Sequence, residues 1–233
     1  PSNVAHDVPA AGQRKGNSRV LVGIIDVGGF DFAHEDFVVD GKTQFLRLWD
    51  MGTVGTSPSG FNFGHDFKRE DLEAAIREAP QVGVGVHDLE PQSQRSRHSH
   101  ATHVASIAAG RKSGVARGFD IAGVLLSLPD SDYERRLSFY DSTRIAHAVD
   151  YLYQLGAMEG YDAVSINISL GTNGHAHDGS APICRWIDSA LTEPGRCIAV
   201  SAGNAGQSEP QYDGDIGYIV GRIHTRGRIE ANG

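Results

Sequence analysis

Five short apolar runs alternate along this chain with stretches of helical periodicity, and that alternation restricts the fold more than any other feature. The first run, residues 19–26, reads Arg-Val-Leu-Val-Gly-Ile-Ile-Asp. It is β-branched and aliphatic without polar alternation, the pattern of a strand buried on both faces. Comparable runs follow at 44–49, 121–126, 163–169 and 198–202. Between them, residues 68–79 place Leu72, Ala75, Ile76 and Ala79 at helical spacing and close on Pro80. Further helices are predicted from His100 to about Ala109, over 142–155 with Asp141 or Ser142 as cap, and over 182–191. Apolar strands separated by such helices are βαβ units, so the fold class is α/β: a parallel sheet flanked by helices on both faces. Residues 1–18 read as an N-terminal arm and 19–233 as one domain. The Gly/Ser/Pro-rich stretch 52–64 reads as a long loop, and the polar stretch 81–97 shows no assignable period.

Composition narrows the function classes. With 21 Lys+Arg against 29 Asp+Glu, the net charge of -8 opposes nucleic acid and anionic membranes as partners. The apolar runs are strand-sized, well short of the roughly 20 residues a membrane-spanning helix needs. Both cysteines are expected as free thiols. Cys184 falls near the start of the 182–191 helix and Cys197 opens the next strand. About eight residues of helix at about 1.5 Å rise separate them, beyond the roughly 7 Å that a disulfide tolerates.

Ligands of parallel α/β sheets sit outside the carboxyl ends of the strands, so those ends carry the functional reading. Asp26 ends the first strand and Val27-Gly28-Gly29 turns the chain; alone, it reads as a turn carboxylate. His98-Ser-His-Ala-Thr-His103 enters a helix. Three histidines at this spacing suit zinc, but the acidic general base that such a centre uses is missing beside Ala101 and Thr102. The other reading is a single histidine acting as a base at the helix entry. Residues 165–171, Ser-Ile-Asn-Ile-Ser-Leu-Gly, end a strand in small residues. The sequon within them, Asn167-Ile168-Ser169, is discounted because an apolar strand interior is inaccessible to glycosylation. The last strand runs Ile-Ala-Val-Ser-Ala-Gly-Asn from Ile198 to Asn204, which alone reads as a turn asparagine.

Together, and in this chain order, the four segments resemble the subtilisin-like serine peptidases. Ile24-Ile25-Asp26-Val27-Gly28 is similar to the motif around that family's catalytic Asp. His100-Ala-Thr-His-Val-Ala-Ser106 is similar to H-G-T-H-V-A-G, whose first His is the catalytic base. Asn167-Ile-Ser-Leu-Gly171 resembles the substrate-cleft strand, and Ala202-Gly203-Asn204 the segment with the oxyanion-hole Asn. The resemblance implies a serine endopeptidase with Asp26 and His100 in its triad and Asn204 as oxyanion donor. Ser169, Leu170 and Gly171 would form one wall of the substrate cleft, with Ala202 and Gly203 opposite. The chemistry fits: imidazole exchanges a proton near neutral pH, and a buried carboxylate holds its tautomer. No cofactor is needed for it, and the expected partner is a polypeptide substrate. Most bacterial members of the family would imply an extracellular or periplasmic location.

Departures from the family pattern shape the expectation. The family's nucleophile lies in a G-T-S-M-A-x-P motif after the oxyanion Asn, but the sole serine after Asn204 is Ser208, in an unrelated context. The serine is therefore expected in a C-terminal remainder of the same domain. The sheet would be incomplete at its C-terminus, and this chain alone inactive. Ala101 and Ser106 stand where the family has Gly, and Val27 where it usually has Ser or Thr. The interval from Asp26 to His100 is long, with an insertion expected at about 52–97. Asp36 aligns with a calcium ligand of some members, so the resemblance admits a structural calcium there, the alternative being a plain surface carboxylate. The competing functions are a pseudopeptidase that grips extended peptides without cutting them, and a zinc hydrolase using His98, His100 and His103.

Overall fold

The computed structural model describes residues 18–94, 99–126, 142–171 and 178–201. Its centre is a six-stranded sheet built on β1 (Val20–Asp26). The other members are β4 (Phe45–Asp50), β5 (His65–Lys68), β6 (Asp120–Leu125), β7 (Ala163–Ile168) and β8 (Arg196–Val200), in the order β5-β4-β6-β1-β7-β8. Strands β4, β6, β1, β7 and β8 are mutually parallel, while β5 pairs antiparallel with β4 at the edge. The expected parallel sheet is thus mixed. Four residues containing one buried apolar side chain, Phe67, were too short a run to predict β5. A hairpin of β2 (Val38–Val39) and β3 (Lys42–Thr43) also went unpredicted. Its turn residues Asp40 and Gly41 take φ of 51° and 73°, the left-handed pair that an Asp-Gly loop favours.

The continuous apolar sequence of β1 has a direct cause. Leu21 and Ile25 enter one core and Val22 and Ile24 the other, all four buried. On the first face lie α4 (Ser142–Met158), through Ala148, Val149, Leu152 and Leu155, and the partly buried Trp186 of α5 (Pro182–Ala190). Close approach of α4 requires Gly23, where a Cβ would sit 2.7 Å from Leu152 Cδ1. The second face receives α1 (Arg69–Val82) through Leu72 and α3 (His100–Ala109) through Ala101, Ala105 and Ala109, spaced one turn apart. Each fully buried aliphatic side chain stabilises by about 1.5–3 kcal/mol.

Two sequence boundaries are corrected. Helix α1 continues through Pro80 to Val82; less than a turn remains after the proline, and Gly83 at φ 72° closes the helix by donating its N–H to the Ala79 carbonyl. The unassigned stretch 81–97 contains a short helix, α2 (Val86–Leu89). Cys184 on α5 and Cys197 on β8 are free thiols. No helix among the described residues is long and apolar enough to cross a membrane.

Candidate active site

The first strand and the third helix bring Asp26 and His100 together at the carboxyl end of the sheet. The Asp26 side chain is 1% exposed and its Oδ2 lies 2.7 Å from His100 Nδ1. Its other oxygen, Oδ1, accepts the N–H groups of Val27 at 2.7 Å and Gly28 at 3.1 Å. The turn therefore fixes the carboxylate plane and leaves one oxygen for the imidazole. The His100 side chain is 60% exposed. With Nδ1 engaged by Asp26, its Nε2 is the nitrogen available to a reactant.

Helix α3 sets the imidazole because its packing face is smooth. Ala101, Ala105 and Ala109 are 0% exposed against the sheet, so the helix axis lies close to β1 and its first residue comes level with the strand end. The residue before it, Ser99, occupies the cap position, where its carbonyl accepts the His103 N–H at 3.2 Å. Its hydroxyl is directed elsewhere, donating to the Gly29 carbonyl across the turn from Asp26. In the first turn of the same helix, Thr102 Oγ1 accepts the Asp31 N–H at 2.8 Å. Asp31 Oδ1 in turn meets His87 Nε2 at 2.9 Å. That bond holds the Asp31 carboxyl below its ordinary range. These polar ties join the loop after β1 to α2 and α3.

Asp36 is buried and faces donors. Its Oδ2 accepts the hydroxyls of Ser106 at 2.5 Å and Ser113 at 2.7 Å, and its Oδ1 accepts the Lys112 N–H at 2.7 Å. This set does not fit a calcium site, which gathers about six to eight oxygen ligands. Among the described residues no group of three or more His, Cys, Asp and Glu is placed to hold a metal ion. Burial raises the Asp36 carboxyl, but donation from Ser106, Lys112 and Ser113 outweighs it and holds the group below its ordinary 3.8. A carboxyl lowered by folding contributes stability above its unfolded value and loses it as pH falls through the folded one. Asp36→Ala is therefore expected to cost about 1–3 kcal/mol at pH 7. The gap to the parent should close below about pH 4. Thermal melts of both proteins between about pH 2 and 8, a range that spans the transition, check this; a gap that stays constant with pH contradicts it.

The residues expected to line the cleft leave the sheet beside Asp26. Strand β7 pairs Ile168 with Ile25, so Ser169, Leu170 and Gly171 emerge next to the carboxylate. Leu170 packs against the α4 core, while a Cβ on Gly171 would meet nothing within 4 Å. Asn167 of the discounted sequon is half-buried and donates Nδ2 to Ser169 Oγ at 2.7 Å. Strand β8 ends at Val200 opposite Ile168. Ala202, Gly203 and Asn204, which follow it, lie outside the described residues, as does His98 of the histidine cluster. His103 is exposed on α3.

A model of the subtilase family matches residues 17–220. The chain belongs to the subtilase family. A search of curated proteins gives no match. Among solved structures, this subtilase resembles the CspB protease of Clostridium perfringens, with a TM-score of 0.66 and 24% identity. The likeness covers 82% of the present chain and 37% of that protein, and it shows the shared fold. The residues that sequence reasoning missed in this subtilase are the supports: Ser99, Asp31, His87 and Gln92. Each binds a backbone or side-chain group distant in sequence, and such contacts leave no periodic signal.

Proposed function

We propose that this subtilase is the Asp- and His-bearing part of a serine endopeptidase that hydrolyses peptide bonds. The observation that supports the reading most is the 2.7 Å contact between a buried carboxylate and Nδ1 of an exposed imidazole. His100 Nε2 takes the proton of the serine hydroxyl as it attacks the scissile carbonyl, then returns it to the departing amine. Asp26 holds the tautomer and stabilises the imidazolium that forms. Asn204 donates its amide N–H to the tetrahedral oxyanion. Ser169, Leu170 and Gly171 pair with the extended substrate backbone, opposite Ala202 and Gly203. The serine comes from polypeptide other than residues 1–233, since no serine of this sequence stands in the family's nucleophile motif. The 233-residue chain alone is then inactive.

A fluorophosphonate probe on the full gene product tests this. Labelling at a serine C-terminal to residue 233 is expected. No labelling, with peptide binding retained, would instead establish a pseudopeptidase. Activity lost to a chelator and restored by zinc would favour the histidine cluster as a metal centre.

A further inference from the structure

Residues 92–94 run along the turn that follows Asp26 without belonging to a helix or strand. Gln92 grips that turn. Its Oε1 accepts the Phe30 N–H at 2.7 Å and its Nε2 donates to the Phe30 carbonyl at 2.7 Å, the pairing that a neighbouring strand would supply. The next residue pins the segment to the sheet. Ser93 donates its N–H and its hydroxyl to the Asp50 carboxylate at 2.5 and 2.6 Å. Asp50 is 0% exposed and ends β4 opposite Leu125, whose other neighbour is Asp26. Contact between segment and turn is immediate: a Cβ on Gly29 would collide with the Gln94 carbonyl oxygen.

The geometry points to Gln92 as a positioning residue for the Asp26–His100 pair, an inference that rests on the peptidase reading for its effect on turnover. Gln92 touches no reacting atom. It acts through the Phe30 backbone on the turn whose N–H groups, those of Val27 and Gly28, fix Asp26 Oδ1. Phe30's own ring is 1% exposed and held at 5.7 Å from Phe45. Burying that ring does not need the amide; fixing the backbone before it does. Ser99 holds the same turn from the His100 side through the Gly29 carbonyl. The turn is thus gripped from two directions, and loosening one lets the carboxylate plane rotate away from Nδ1. Misplacement of about 1 Å can cost about 100-fold in rate.

The test uses the full gene product and three variants. Gln92→Met keeps the side chain's length and packing but removes both hydrogen bonds. Gln92→Ala removes packing as well, and Gln92→Glu keeps the acceptor for the Phe30 N–H. Met and Ala are expected to lower kcat by about 10- to 100-fold with KM within about twofold of the parent, and Glu, whose second carboxylate oxygen would face the Phe30 carbonyl that Gln92 Nε2 now donates to, to lose at least as much. The His100 Nδ1–H proton resonance, deshielded by its short bond to Asp26, should move upfield or broaden in the Met and Ala variants. A purely structural role would lower Tm while leaving kcat per folded molecule and the resonance unchanged, and that outcome for Gln92→Met overturns the inference. If the parent itself turns over no peptide, the peptidase reading fails, and the resonance alone decides the role of Gln92.

Discussion

Asp26→Asn is expected to lower kcat/KM by about four orders of magnitude, the loss that serine peptidases show when the triad carboxylate becomes an amide. The local geometry explains why a change of one atom costs so much. The Asn Oδ1 can still accept the Val27 and Gly28 N–H groups that Asp26 receives at 2.7 and 3.1 Å. Its NH2 must then face His100 Nδ1, where the carboxylate oxygen stood at 2.7 Å. Two donors cannot share that contact, so the imidazole moves its proton to Nε2, the nitrogen that accepts from the serine in the proposed mechanism. The fold should be untouched, because the turn keeps its two bonds and the side chain its volume. Steady-state kinetics on a peptide substrate, with circular dichroism as a control, checks this on the full gene product. A folded variant within about tenfold of the parent would remove Asp26 from the mechanism.

The largest effect on stability is expected at Trp49, where truncation to alanine should cost about 3–5 kcal/mol. That is a large share of the about 5–15 kcal/mol that a domain typically has. Trp49 is 0% exposed, with ring centroids 4.6 Å from Phe61, 5.2 Å from Phe63 and 5.0 Å from Tyr151. Its indole N–H donates to the Phe63 carbonyl at 3.3 Å. The side chain therefore fastens the 52–64 loop to both β4 and α4. Trp49→Phe keeps part of the aromatic contact and should recover about half of the loss. Denaturant titrations of both variants measure the difference, and limited proteolysis should find new cleavage within 52–64 in the alanine form alone. A shift below about 1 kcal/mol would mean that the loop packs independently of this ring.

How far the sequence revealed this molecule depended on whether each feature leaves a local trace. Strand β1 was legible because Leu21, Val22, Ile24 and Ile25 must all be apolar when both faces are covered. Asp26 and His100, which the structure brings within 2.7 Å of each other, could be singled out because each sits at the end of a regular element inside a short motif. The strand β5 was not, since an antiparallel edge that buries only Phe67 of its four residues needs no apolar run. The helical pattern closes on Pro80 in the sequence, but proline disturbs only a preceding carbonyl, so α1 runs on to the closure at Gly83. Gln92 and Ser99 escaped notice for a different reason. They are polar residues bonded to backbone 62 and 70 positions away, and nothing in their immediate neighbours encodes that distance. Ser106, read from the sequence only as a departure from glycine, has a use of its own in binding Asp36.

The position of β1 inside the sheet also bears on how the molecule is made. Its two neighbours, β6 and β7, come from residues 120–125 and 163–168, so Asp26 must wait for both segments to be synthesised before the strands that bury it can form. Helix α3 likewise emerges before either of them. Contacts this distant in sequence close slowly, because the loop entropy is lost before any of the pairing is gained. The Asp26–His100 pair thus assembles late on the nascent chain, and a ribosome-bound intermediate lacking β7 would present Asp26 without a finished wall around it.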